Sequence, residues 1–285
     1  KAVYVLAVLG FGVKAAIFPF YGWLPAVSVA PTPVTALLHA VAVVKAGAFA
    51  IIRITYYSFG AEFLQGSFAQ YTVLVFAIAT ILFGSARAVK EPHLKRRLAY
   101  STISNLSYII FAALLMTPEG MVGSMMHIIA HAFIKITLFY CAGAILHCSG
   151  LEYVRDMAGL AKKMPYVCAC FLAAGAGLIG VPPMAAFVSK WHIGTAAIAS
   201  GDPLAIAGMF AVLFSAFCTA VYICGFVMRA FLPFSGEGDW KTKQACDPTW
   251  RMKLPLGILV YMIFTIGMFA KPLLAFLGRV ALGGL

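Results

Sequence analysis

Eight windows of 18 or more mostly apolar residues follow one another along the chain, at about 1–25, 33–57, 68–88, 98–117, 121–147, 166–199, 204–231 and 254–277. A helix of that length rises about 27 Å, close to the roughly 30 Å of a bilayer's hydrocarbon core. Lipid offers the backbone no hydrogen bonds, so spanning segments are helices or closed barrels, and barrel strands would be short and alternating. The expected fold is an all-α polytopic membrane helix bundle with about eight spans. Composition agrees: 63% of the 285 residues are hydrophobic and 11% charged, more apolar surface than one soluble core can bury.

A net charge of +12 would point to nucleic acid in a soluble domain. Here the basic residues gather in particular loops instead. The segment from Arg87 to Arg97 holds Arg87, Lys90, Lys95, Arg96 and Arg97 against one acid, and the loops Arg155 to Lys163 and Arg229 to Lys253 are also basic. All three follow odd-numbered spans. Loops after spans 4 and 6 carry only Glu119 and Asp202, and the loop after span 2 has Arg53 and Glu62. The positive-inside rule then places the basic loops in the cytoplasm and both termini outside, with no nucleic acid as partner. The first basic loop also admits a second reading, as a docking surface for a soluble module.

The opening span lacks the short apolar core and small-residue cleavage site of a signal peptide, so none is expected, and the chain reads as starting inside a longer protein. Of the seven cysteines, none forms a CxxC pair, and Cys168 and Cys170 make only CxC. They read as small packing residues. With no phosphate-cradling glycine loop and no nucleophile elbow, no catalytic centre and no cofactor is expected in this chain.

What needs explanation is the ionisable groups inside the spans: Lys14, Lys45, Lys135 and Lys190, with His39, His127 and His131. A lysine at mid-bilayer costs at least about 2.5 kcal/mol, so such residues usually face a bundle interior or a hydrated path and mark ion transfer. The plainer alternative is a lysine that snorkels to the interface or a histidine satisfied by a carbonyl. All nine acids fall in predicted loops, which leaves the lysines without an intramembrane counter-charge. A buried lysine of that kind suits a group that takes up and releases protons. The partner carboxylate could also come from a missing segment or another subunit.

In HIIAHAFIK, His127, His131 and Lys135 stand four apart, so on a helix they form one stripe about 12 Å long. HxxxH can hold zinc, but the glutamate of HExxH is absent and no third ligand is near, so no metal is expected. In VKAAIFPFYGWLP, Pro19 and Pro25 follow Lys14; in GLIGVPPMAAFVSKWH, Pro182 and Pro183 precede Lys190. Proline removes a ladder donor, so each span is expected to be two half-helices lining a polar cavity, the mark of an inverted-repeat transporter.

Four ordered motifs, KAAIFPFYGWLPAVSVAPTPVTALLHAVAVVKAG, LKRRLAYSTISNLSYI, HIIAHAFIKITLFYCAGAIL and DMAGLAKKMP with GLIGVPPMAAFVSKW, closely resemble the antiporter-like subunits shared by respiratory complex I, Mrp-type sodium/proton antiporters and membrane-bound hydrogenases. The resemblance covers nearly the whole chain. It implies a 14-helix fold of two inverted five-helix repeats, each with a discontinuous helix, of which this chain resembles helices 7 to 14. Residues 1–58 would close the first repeat, 67–232 would form the second, and 233–285 would hold a cytoplasmic loop and the last helix. Lys14 then matches a lysine that pairs with a glutamate of the absent first half. Lys45 and His39 fall in the eighth-helix motif, and His127, His131 and Lys135 resemble the linking wire. Lys190 resembles the terminal lysine of the second broken helix, where other members carry glutamate, and FVSKW is more similar to the Mrp and hydrogenase-associated subunits.

The function expected from this resemblance is proton translocation within a membrane energy-converting complex, through Lys14, Lys45, Lys135, Lys190, His39, His127 and His131. The alternative is a subunit of a Mrp-type Na+/H+ antiporter without a redox partner; a third reading is a membrane anchor with vestigial lysines. Expected partners are other membrane subunits, a soluble redox module in the first case, membrane lipid, protons and, in the antiporter case, Na+. The expected location is the prokaryotic inner membrane.

Overall fold

A computed structural model describes residues 1–232 and 245–283, and every regular element among them is helical. Glu237, Asp239, Lys241 and Lys243 of the third basic loop lie outside the described residues. The helices, in order, are α1 (Ala2–Lys14), α2 (Trp23–Val27), α3 (Thr32–Ala40), α4 (Val43–Arg53), α5 (Ala61–Leu64), α6 (Phe68–Lys90), α7 (Leu94–Leu114), α8 (Pro118–Ser149), α9 (Pro165–Ile179), α10 (Ala185–Ala199), α11 (Pro203–Phe231), α12 (Trp250–Met268) and α13 (Ala270–Gly283). A π-helical turn, Ile54–Phe59, extends α4.

Among the described residues, five segments are long and apolar enough to cross a membrane by themselves, against the eight expected windows. They are Thr32–Phe59, Phe68–Lys90, Pro118–Ser149, Pro203–Phe231 and Trp250–Met268. The other three windows fall short for separate reasons. The first keeps only the 13 residues of α1 before its helix breaks, and the sixth is divided into α9 and α10 of 15 residues each. The fourth, α7, begins four residues earlier than its apolar window and carries LKRR in its first turns. It is also the most enclosed helix: all its residues but Arg96 and Arg97 are buried, so its serines, Thr102 and Asn105 meet protein rather than lipid.

α8 is the spine. Its 32 residues run about 48 Å without interruption, past α3, α7, α9, α10 and α12. Thr117 starts it by accepting the Gly120 N–H at 3.1 Å, Pro118 stands where a missing N–H costs nothing, and Gly150 ends it with φ 68°. Around it the outer helices keep large apolar side chains exposed, among them Phe68, Phe210, Phe217, Tyr261 and Phe269. A soluble monomer would not leave so wide an apolar surface open, whereas lipid or neighbouring membrane subunits cover it readily.

The basic segments meet at one end of the bundle. Leu94 N–H donates to Glu152 O at 2.9 Å and Val154 N–H to Pro92 O at 3.1 Å, joining the α6–α7 and α8–α9 connections. Gly159 N–H donates to Arg229 O at 3.0 Å, and Lys95 Nζ reaches Ala30 O at 3.4 Å. Arg87, Lys90, Lys95, Arg96 and Arg97 belong to the ends of α6 and α7 rather than to a free loop, since only residues 91–93 separate those helices.

Candidate functional site

The two proline-marked breaks form where proline removes the ladder donor. After α1 the chain leaves the helix over residues 15–22, with Pro19 inside the gap, and after α9 it leaves over 180–184, with Pro182 and Pro183 inside. Pro25 is a correction to the sequence reading. It lies within the first turn of α2, where an N–H would have no partner, so it does not break a helix. A third break separates α3 from α4 at Val41 and Ala42, with neither proline nor glycine to announce it.

Two lysines close such breaks. Lys190 Nζ donates to Leu178 O at 2.8 Å and Ile179 O at 2.9 Å, the last carbonyls of α9, while Gly180 turns away at φ 94°. Lys45 Nζ donates to Ala40 O, the last residue of α3. A cation at a helix C-terminus fills carbonyls that have no ladder partner and meets the negative end of the helix dipole. Lys190 also lies over the Tyr108 ring, 5.5 Å from its centroid.

Between these two ends runs the α8 stripe. His127, His131 and Lys135 are fully buried, as is His39 on α3. His127 shares hydrogen bonds with Ser189 Oγ at 2.8 Å and Asn105 Oδ1 at 3.2 Å, and its ring stacks on that of His131 with centroids 5.8 Å apart. Lys135 donates to Leu98 O at 2.9 Å and to Ser101 Oγ. One turn further along α8, Phe139 stacks on His39 at 4.6 Å. The ring nitrogens of His39 and His131 have no hydrogen-bond partner among the described residues.

These groups act on one another electrostatically: Lys45 on Lys135, His127 and His131, Lys190 on both of those histidines, and Lys135 on His39 and His131. No ion pair between any of the four span lysines and a carboxylate occurs among the described residues. The structure thus gathers six of the seven residues marked in the sequence. Lys14 stands apart, exposed on the last turn of α1.

Several members of this row were not singled out from sequence. Ser101, Asn105 and Tyr108 occupy one face of α7 at i, i+4 and i+7, directed at the α8 stripe, and Ser189 precedes Lys190 on α10. Tyr108 and Ser85 both bond Ser215 Oγ at 2.5 Å, carrying the polar interior outward between α6 and α11. The signal in the sequence was the polar face of YSTISNLSY inside an otherwise apolar window.

Discontinuous helices, an interior row of titratable groups and an apolar exterior define a class of polytopic membrane bundle with a polar core. Residues 1–217 match the family model described as NADH:quinone oxidoreductase/Mrp antiporter, transmembrane, and the chain belongs to that family of integral membrane proteins. It is 34% identical over 260 residues to NADH-quinone oxidoreductase subunit N of Desulforudis audaxviator (strain MP104C), across 90% of this chain and 51% of that protein. It is 36% identical over 276 residues to the A/B component of the probable K(+)/H(+) antiporter of Rhizobium meliloti (strain 1021), across 93% of this chain and 26% of the relative. The fold is also that of a chain in the Mrp complex from Dietzia sp. DQ12-45-1b, with a TM-score of 0.89 at 23% identity over 99% of this chain and 59% of the other. The chain therefore spans about half the length, or less, of these curated relatives.

Proposed function

We propose that this chain is part of a proton-translocating, antiporter-like subunit of a membrane energy-converting complex, complex I-like or hydrogenase-like. Protons pass along Lys45, Lys135 and Lys190 with His39, His127 and His131 as relays. The observation that carries this reading is the row itself: Lys45, Lys135 and three imidazoles buried, Lys190 half-buried at one end, all within reach of one another's fields and no carboxylate paired with any of them among the described residues.

A lysine held by neutral carbonyls and hydroxyls can lose its proton without breaking an ion pair, and its charge alters the proton affinity of the next site through a medium of low dielectric constant. The ring nitrogens of His39 and His131, buried and without a hydrogen-bond partner among the described residues, are the row's open donor and acceptor positions. Lys14, facing outward, is the residue that pairs with a carboxylate supplied from beyond these residues. The division into the end of one repeat at 1–58, a second repeat at 67–232 and a terminal segment at 233–285 belongs to the same proposal, as do an inner-membrane location with the basic ends in the cytoplasm and assembly with other membrane subunits. The likeness to the Rhizobium meliloti antiporter favours a second reading, a Mrp-type antiporter that exchanges protons for a monovalent cation.

One experiment separates the two. Proton and sodium flux are measured in vesicles carrying the intact complex, with and without reductant, for the wild type and Lys135→Ala. Flux that needs reductant and is lost in the variant is the expected result; sodium exchange without reductant, lost in the variant, establishes the antiporter. Flux untouched by the substitution overturns both.

A further inference from the structure

A charged lysine has three N–H donors, and Lys190 commits two of them to the Leu178 and Ile179 carbonyls, at 2.8 and 2.9 Å. Its stem passes Gly180 so closely that a Cβ there would stand 3.2 Å from Lys190 Cδ, which confines the head group to the break. The third donor is left for the face of the Tyr108 ring, whose centroid is 5.5 Å from Nζ. Tyr108 is fully buried, and the same ring stands 5.4 Å from the His127 imidazole, inclined to it by 48°. What it offers Lys190 is its π face and not its oxygen, because the hydroxyl donates to Ser215 Oγ on α11 at 2.5 Å. Ser215, itself buried, is also 2.5 Å from Ser85 Oγ on α6, so two helices fix the direction of the ring.

The two kinds of contact respond differently to charge. Carbonyls accept N–H groups from an ammonium or an amine, and a neutral amine still has the two that they take. An aromatic face attracts a cation through the ring quadrupole, so this contact is strong only while Lys190 is charged. We propose that Tyr108 is a positioning residue for proton translocation, its ring face seating the Lys190 charge beside His127 at the α10 end of the row. This rests on the row being a proton carrier, as proposed above, and adds the group that distinguishes the charged from the neutral form of its terminal lysine.

The test uses the intact complex in vesicles, with proton flux as the readout. Tyr108→Phe keeps the ring without its hydroxyl and serves as the reference for phenylalanines at position 108 that carry one, two or three ring fluorines. Fluorine draws electrons from the ring face and weakens its hold on a cation while barely changing the size of the side chain. A seat for the charge predicts flux that falls with each added fluorine, about fivefold in all, and that is no higher than the trifluoro level in Tyr108→Leu, which has no ring. A packing role predicts a level series. Equal flux across the fluorine series overturns the seat; so does flux already absent in Tyr108→Phe, which would assign the role to the hydroxyl. Lys135→Ala, measured alongside, tells the two failures apart. If it abolishes flux while the fluorine series is level, only the role of Tyr108 falls; if it leaves flux intact, the carrier reading falls and the role of Tyr108 with it.

Discussion

At the first helix break the carbonyls freed at the end of α1 are taken by neighbouring N–H groups, whereas at the second two are left to a lysine side chain. Ala15, Ile17 and Ala16 donate to Phe11, Gly12 and Val13 carbonyls at 3.1, 2.9 and 3.2 Å, and Trp23 Nε1 adds a bond to Val13 O at 2.9 Å. Phe18 N–H, in the gap, goes to Thr80 Oγ1 at 3.0 Å. At the second break, Gly180 and Val181 N–H both return to Ala176 O at 3.1 Å, so Leu178 and Ile179 carbonyls rely on Lys190. The difference separates two jobs for a lysine beside a break. Lys190 is a structural donor as well as a charge, while Lys14, whose break closes without it, carries charge alone and is free to face outward.

Both breaks are sealed by a glycine from another helix, and substitutions there carry the largest expected effects on stability. A Cβ on Gly47 of α4 would stand 2.8 Å from Ala15 N and 3.0 Å from Phe11 O; one on Gly267 of α12 would run into Pro183 O and the backbone of Met184 and Ala185. The obstacle in both cases is backbone, which cannot rotate away. Overpacking of this kind costs typically about 1–3 kcal/mol and sometimes more. Gly267→Ala should exceed Gly47→Ala, because its overlap is deeper. Thermal unfolding of the intact subunit in detergent reads both; an unchanged melting temperature for Gly267→Ala would mean that α12 does not seat on the second break.

Next in size is the contrast between the two lysines. Lys190→Ala strips the donor from the last two carbonyls of α9, and unsatisfied buried acceptors cost about 1–3 kcal/mol. Lys14→Ala removes a side chain that makes no such bond among the described residues, so in melts of this chain by itself its effect should stay within about 0.5 kcal/mol. The same melts decide it. Equal losses from both substitutions would break the distinction between a structural and a purely electrostatic lysine.

The sequence carried much of this, unevenly. Pro19, Pro182 and Pro183 announce their breaks because a missing N–H is a property of the residue itself. The four-residue spacing of His127, His131 and Lys135 announces a stripe for the same local reason. The break at Val41 and Ala42 has no such residue; what marks it is Lys45, five residues on, donating to Ala40 O across the gap, a local contact that no helix-breaking residue announces. Pro25 misled because proline is harmless in the first turn of a helix, and where the turn begins is not written in the residue. Ser101, Asn105 and Ser189 escaped notice because small polar residues in apolar helices also serve as packing residues, and only the approach of α7 and α10 to α8 gives them partners. Lys14 could be counted from sequence, but its outward direction depends on which face of α1 the other helices cover.

An effect smaller than that of Lys190→Ala concerns the far end of α9. Asp247 accepts the Tyr166 and Val167 N–H groups at 3.2 and 3.4 Å, in the first turn of that helix, and pairs with Lys253 at 3.4 Å. A carboxylate there and an ammonium at Leu178 and Ile179 each meet the favourable end of the helix dipole, so α9 is held between two opposite charges. Asp247→Ala should cost about 1 kcal/mol, the ordinary value of a lost N-terminal cap. The two ends of this 15-residue helix are about 20 Å apart, and substitutions so distant normally add to within about 0.5 kcal/mol. A double substitution with Lys190→Ala therefore sharpens the contrast with α1. Additive losses mean that α9 is anchored independently at each end and the second break is a fixed feature. A coupling clearly above that limit means that freeing one end lets the whole half-helix shift, so that the carbonyls holding Lys190 belong to a moving part rather than to a rigid frame.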